Sequence, residues 1–161
     1  MSATLTDSAP LRALPVEHIA DLAVDLDPLH LIETPVGTRA VYIAKGGRID
    51  GPELHGTLLP GGGDWLRLGS DLIGRVDVRT TIRTDDGVLI EYTASGLVQL
   101  PADGLARLAA GERVPWQQAY VRTTPRFETS DERYAWLSRR VMVAYNELSR
   151  DHVDYRIYGV L

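Results

Sequence analysis

The sequence predicts an all-β fold: a single antiparallel β-barrel of about seven to eight strands with two short helices, a two-sheet sandwich being the alternative. Three observations predict it. Alternation of apolar and polar residues with a period of two recurs along most of the chain. The links between alternating stretches have hairpin length, and only two stretches suggest helix. So many short strands must close or pair to hide their edges.

The elements follow in order. The 161 residues favour one domain. Residues 1–15 are polar and small, with Pro10 and Pro15, and form a loose lead-in to a domain over 16–161. Leu22, Val24 and Leu26 alternate within 17–26, the first strand. Strands at 38–44 and 48–59 are separated by Lys45–Gly46–Gly47. In RVDVRTTIRTDDGVLIEYTASG (75–96), Val76, Val78, Thr80 and Ile82 alternate with Asp77, Arg79, Thr81 and Arg83. The turn at Asp85–Asp86–Gly87 leads to a strand over Val88–Ala94. A three-residue loop with Gly87 left-handed pairs Ile82 with Ile90 and Thr81 with Glu91. One face then carries Val76, Val78, Thr80, Ile82, Ile90 and Tyr92; the other carries Arg79, Arg83 and Glu91. Residues 118–124, 139–146 and 153–160 complete the strands. A helix over 102–110 stops at Gly111, and another over 130–137 is opened by Thr129, with Glu132 completing a capping box.

Composition excludes several classes. The net charge is −5, from 22 acidic and 17 basic side chains, which argues against nucleic acid and against an anionic membrane surface. Without cysteine there is no disulfide, thiolate metal site or Cys nucleophile. His18, His30, His55 and His152 lack metal-ligand spacing, so no metal and no cofactor are expected. No signal peptide is evident, and no apolar run approaches the ~20 residues that span a bilayer, so a cytoplasmic location is expected. LLPGGGDW (58–65) lacks the Lys-Ser and the following helix of a phosphate loop. It is either a surface loop or a rim bend that delivers Asp64 and Trp65 to a cavity mouth.

GGRIDGPELHGTLLPGGGDW, RTDDGVLI and RTTPRFETSDERYAWLSRRVMV together resemble the uncharacterised microbial domain-of-unknown-function family 3237, the UPF-0311 proteins. The resemblance covers the chain from about Asp21 to Leu161. Its long glycine motif falls on Gly47, Gly51, Pro52, Leu54 and Gly56 and continues to Asp64 and Trp65. Its third segment falls on Arg122 to Thr129 and on Tyr134, Trp136 and Leu137. The resemblance implies an antiparallel barrel with a central cavity, and it favours the rim bend for the glycine run.

The charged strand face then becomes the question. Outside, Arg79, Arg83 and Glu91 form a solvated cluster of little energetic weight. Inside, they floor a charged pocket. The residues leave both orientations open; the resemblance favours the inward one. Asp64 and Glu128 are the candidate proton-transfer groups. Arg79, Arg83 and Arg126 would steady negative charge with Glu91 beside them, and Trp65, Tyr120 and Trp136 would be walls. The bland alternatives are a loop cap for Asp64, an ion pair for Arg126 and Glu128, and core packing for Trp136. The expected function is a cofactor-independent isomerase, cyclase or lyase acting on a small aromatic or polyketide-like molecule. The alternatives are a small-molecule carrier or sensor and a filled structural module. An aliphatic outer face, if present, would call for a homodimer to cover it.

Overall fold

Ten strands build a closed barrel of eight strand positions in the computed structural model, which describes residues 12–161. They are β1 (Val16–Leu26), β2 (His30–Thr34), β3 (Gly37–Asp50), β4 (His55–Leu58), β5 (Gly63–Leu68), β6 (Gly74–Thr84), β7 (Leu89–Gln99), β8 (Tyr120–Glu128), β9 (Met142–Leu148) and β10 (His152–Val160). Helix α1 (Gly104–Ala109) and a 3₁₀ turn (Ala135–Arg139) complete the elements. Of the predicted lead-in, residues 1–11 lie outside the described residues, and residues 12–15 precede β1 without regular structure. Neighbouring strands run β1–β10–β9–β8–β7–β6, pass through β4 and β5 to β3, and close from β3 onto β1.

β4 and β5 share one barrel position. β3 pairs with β4 through Gly47–Asp50 and with β5 through Thr38–Ile43, and β6 contacts both in the same way. The glycine run therefore interrupts a single strand. Gly61 takes φ +101°, a region costly for side chains with a Cβ. A Cβ on Gly62 would meet the Arg79 carbonyl oxygen at 2.5 Å, and one on Gly63 the Tyr42 carbonyl oxygen at 2.2 Å. Backbone hydrogen bonds bridge the interruption: the Ala44 N–H donates to the Gly62 carbonyl at 2.8 Å, and the Gly61 N–H to the Ala44 carbonyl at 3.1 Å.

The β6–β7 hairpin has the predicted register, with Ile82 opposite Ile90 and Thr81 opposite Glu91. Gly87 takes φ +95° in its three-residue loop. Elsewhere the prediction is corrected. Residues 38–50 are one strand, bulged beside Gly46, where pairing with β1 shifts between Asp25 and Leu26. β2 and β5 were not predicted; they are short, and β2 has apolar residues on both faces. The helix over 130–137 is replaced by the 3₁₀ turn, and its N-terminal residue Tyr134 has no side-chain cap. Thr129 instead accepts the Asp131 N–H at 3.3 Å, closing a tight turn rather than starting a helix.

The aliphatic faces point into the barrel and the charged faces point out. Val76, Val78, Thr80, Ile82 and Thr84 of β6 are buried, whereas Arg79, Thr81 and Arg83 are exposed. This reverses the expected inward orientation of the charges. Among the described residues no second layer covers the barrel wall, so the interior is where the aliphatic stripe escapes water. The aliphatic stripe of β6 is therefore not an outer face for a homodimer to cover.

The interior is filled only at one end. Ile49, Leu54, Ile82, Ile90, Phe127 and Ile157 pack there with at most 1% exposure, and Leu137 of the 3₁₀ turn stops the end. Each such side chain contributes about 1.5–3 kcal/mol of burial.

Candidate functional site

The other end of the barrel is hollow. A cavity of about 480 Å³ opens at the end where β3, β6, β8 and β10 begin. Small inward residues make the room: Ala40, Ala44, Gly63 and Gly74 line it where the filled end carries isoleucines. Leu29, Leu31, Leu72 and Leu105 line its mouth and are 41%, 63%, 76% and 68% exposed.

Between mouth and filled end runs a belt of polar side chains: Tyr42, Asp64, Thr80, Tyr92, Asn146 and Tyr155. Strand register assembles it. Tyr42 of β3 stands opposite Asp64 of β5, Thr80 of β6 opposite Tyr92 of β7, and Asn146 of β9 opposite Tyr155 of β10. Tyr92 lies edge-on to Phe127 at 5.1 Å and to Tyr155 at 6.4 Å between ring centres.

Asp64 is the only carboxylate in the belt. Its Oδ1 accepts the backbone N–H of Asp77 at 2.9 Å. The β5–β6 ladder pairs Asp64 with Val78 and resumes at Arg67 opposite Arg75, so the carboxylate serves an N–H in the gap. Burial pushes the Asp64 carboxyl up to about 6; the Asp77 N–H opposes this, and the Asp77 charge adds to it. Burial also raises the Tyr42 and Tyr155 hydroxyls, with the Asp64 charge adding to both. Tyr92 is raised by burial and then by Tyr155. All three tyrosines therefore remain protonated donors at neutral pH. Two belt hydroxyls, Thr80 Oγ1 and Tyr92 OH, are buried without a hydrogen-bond partner.

Of the nine residues singled out from the sequence, the structure places only Asp64 in the cavity. Trp65 follows it on the outer face, 40% exposed. Arg79 lies outside with its side chain 3.5 Å from Asp77, and Arg83, Glu91, Arg126 and Glu128 are exposed along β6, β7 and β8. Glu91 and Glu128 stand opposite each other across the β7–β8 ladder on that wet face. Tyr120 is exposed beneath the Arg122 guanidinium, and Trp136 is half-buried under Arg140 near the filled end. These positions follow from the reversal of the charged face: period two moves every member of a strand face together.

Sequence reasoning missed Tyr42, Asn146 and Tyr155, and used Thr80 and Tyr92 only as members of the apolar face. The available signal was a tyrosine within an aliphatic alternation, as in TRAVYIA and VDYRIYGV. Among the described residues, no three His, Asp or Glu side chains gather as metal ligands. No described helix is long and apolar enough to cross a membrane.

Residues 14–160 match the family model described as "Protein of unknown function (DUF3237)". A UPF0311 protein of Bradyrhizobium diazoefficiens is 30% identical over 129 residues, covering 80% of this chain and 84% of that protein. A conserved protein of unknown function from Rhodopseudomonas palustris superposes with a TM-score of 0.87 at 25% identity, over 94% of this chain and all of that one. A beta-barrel like protein from Acinetobacter baumannii gives 0.80 at 31% identity, over 97% of this chain and 100% of that one. A crystal structure described as an enzyme from Penicillium herquei gives 0.70 at 20% identity, over 96% and 99%, a likeness of fold alone.

Proposed function

The chain belongs to the DUF3237 family, and we propose that it is a cofactor-independent enzyme that moves protons on a small aromatic or polyketide-like molecule held in the open half of the barrel. The observation that carries this reading is Asp64: one carboxyl, lifted to about 6, in an otherwise uncharged belt of tyrosines within an apolar hollow. A base is most effective when its pKa lies near the working pH, and a buried carboxyl at about 6 meets that condition. The Penicillium herquei barrel, described as an enzyme, is consistent with this architecture hosting chemistry.

The chemistry needs few parts. Ionised Asp64 takes a proton from a C–H adjacent to a carbonyl, and the electron pair moves onto the carbonyl oxygen. Tyr42, Tyr92 or Tyr155 donates a hydrogen bond to that oxygen as charge develops. Protonated Asp64 then returns the proton at another atom, which isomerises the substrate, or delivers it to a leaving group, which completes a lyase step. Cyclisation follows when the enolate carbon attacks a second carbonyl of the same molecule, folded against the aliphatic wall; that C=O π pair moves to its oxygen, which takes the proton from Asp64. The exposed Arg79, Arg126 and Glu128 take no part in this reading.

The test is α-proton exchange of 2-tetralone in D2O, followed by NMR. Wild-type protein should accelerate exchange, and Asp64→Asn should remove about a hundredfold of that acceleration, with the circular dichroism spectrum unchanged. Equal exchange by both proteins would refute Asp64 as the base. A second reading, a non-catalytic carrier or sensor, draws on the aliphatic lining beyond the belt. It expects 2-tetralone to bind both proteins and emerge unexchanged.

A further inference from the structure

We infer that the cavity takes neutral oxygen-bearing hydrophobes oxygen first, seating the oxygen between Thr80 and Tyr92, and rejects the corresponding carboxylates. This deepens the proposed function and rests on the same cavity. Three independent features lead to it.

First, Thr80 Oγ1 and Tyr92 OH are unpartnered, on residues only 7% and 0% exposed. They are cross-strand neighbours on the inner face, and both residues line the cavity. A buried hydroxyl left without a partner is costly, and two on facing residues of one cavity wall point to a polar atom from outside the chain. A hydroxyl both donates and accepts, so a phenol, enol, alcohol or ketone oxygen satisfies the pair.

Second, no Lys or Arg is among the described residues that line the cavity. Its remaining imidazole, His152, is already held by Asp25 at 2.8 Å and Asp154 at 2.9 Å. Glu33, the other lining carboxylate, accepts from the Thr38 hydroxyl near the mouth. A ligand carboxylate would thus enter an apolar hollow that already holds Asp64, with no free cation to meet it. Burying that second negative charge unpaired is strongly unfavourable.

Third, the polarity is graded along the axis. The belt lies deep, and leucines that are largely exposed ring the mouth. An amphipathic molecule fits this gradient only with its oxygen inward and its hydrocarbon body against the leucines. The volume, about 480 Å³, suits a two- or three-ring molecule.

The test compares 2-naphthol with 2-naphthoate, two probes that share a ring system and differ in the head group. Isothermal titration calorimetry is run at about pH 7.5, where both Asp64 and the naphthoate are ionised. The expected result is 2-naphthol binding at least about tenfold more tightly than 2-naphthoate. Thr80→Val and Tyr92→Phe should each weaken 2-naphthol roughly threefold to tenfold, while Thr80→Ser restores it. Thermal unfolding of each variant confirms that the fold survives. Equal or tighter binding of 2-naphthoate, no binding of 2-naphthol, or 2-naphthol affinity indifferent to both hydroxyl deletions each overturns the inference. The two readings fail separately. Selective binding with 2-tetralone exchange that ignores Asp64→Asn sinks proton transfer alone, and Asp64-dependent exchange with equal naphthol and naphthoate binding sinks the orientation alone.

Discussion

The two halves of this barrel are built by the same strands and do opposite things. Toward one end the inner face of β6 and β7 carries Ile82 and Ile90, both fully buried, and the interior is solid. Two residues along each strand the same face carries Thr80 and Tyr92, whose hydroxyls meet no partner, and the cavity begins there. The strands cannot distinguish the halves by hydrogen bonding, since the β6–β7 ladder runs unbroken from Gly74 to Arg83. The difference lies in side-chain volume and polarity on one face. A barrel wall thus holds shape at one end and spends that rigidity on a polar site at the other.

Truncation at the filled end should have the largest effect on stability. Ile82→Ala or Ile90→Ala should cost about 2–5 kcal/mol in urea denaturation, through lost burial plus the cavity left behind. The matching change in the hollow half is enlargement: Ala40→Leu projects into existing space and should alter stability by less than about 1 kcal/mol while blocking 2-naphthol. Similar costs for truncation and enlargement would break the division into halves.

Asp64 sharpens the same contrast through pH. Its carboxyl rises to about 6 from an ordinary value of 3.8, so between these values the folded state binds the proton more tightly than the unfolded state. Stability attributable to Asp64 therefore falls as pH rises through this window, and the full cost is present above pH 6. Asp64→Asn should match the wild type below about pH 4 and exceed it above about pH 6, by no more than about 3 kcal/mol. Urea midpoints measured across that range give the sign. A variant that is less stable at neutral pH would mean that the ionised carboxylate stabilises the fold. Next in size, Tyr92→Phe and Thr80→Val should each stabilise the ligand-free protein by roughly 1 kcal/mol, because each removes a buried hydroxyl that nothing satisfies.

The sequence was most informative where one local rule decided the geometry. The β6–β7 register followed from the loop length at Asp85–Gly87 and the pairing of isoleucines. α1 with Gly111 after it, and most strands, were legible for similar reasons. The inward face was harder, because period two states that the faces differ and leaves their destination open. Favouring inward charges carried Arg79, Arg83, Glu91, Arg126 and Glu128 to the wrong side together. Asp64 was found through the motif around it, yet its surroundings depend on Tyr42, Tyr92 and Tyr155, which lie on β3, β7 and β10 and meet only when the barrel closes.

The smallest expected effect tests that reversal. Arg79→Ala and Glu128→Gln alter side chains in water, where an ion pair such as Arg79 with Asp77 is screened and its geometry costs side-chain entropy. Each should change stability by less than about 0.5 kcal/mol and leave 2-tetralone exchange unaffected. Glu128→Gln also relieves the facing carboxylate of Glu91, so any change should be a slight gain. The small size is informative because the same residues inside the barrel would behave otherwise. Removing one member of a buried charged cluster leaves its partner unpaired, at a cost of about 3–5 kcal/mol. A large loss in either variant would therefore return the charged face to the interior and take the tyrosine belt out of the site.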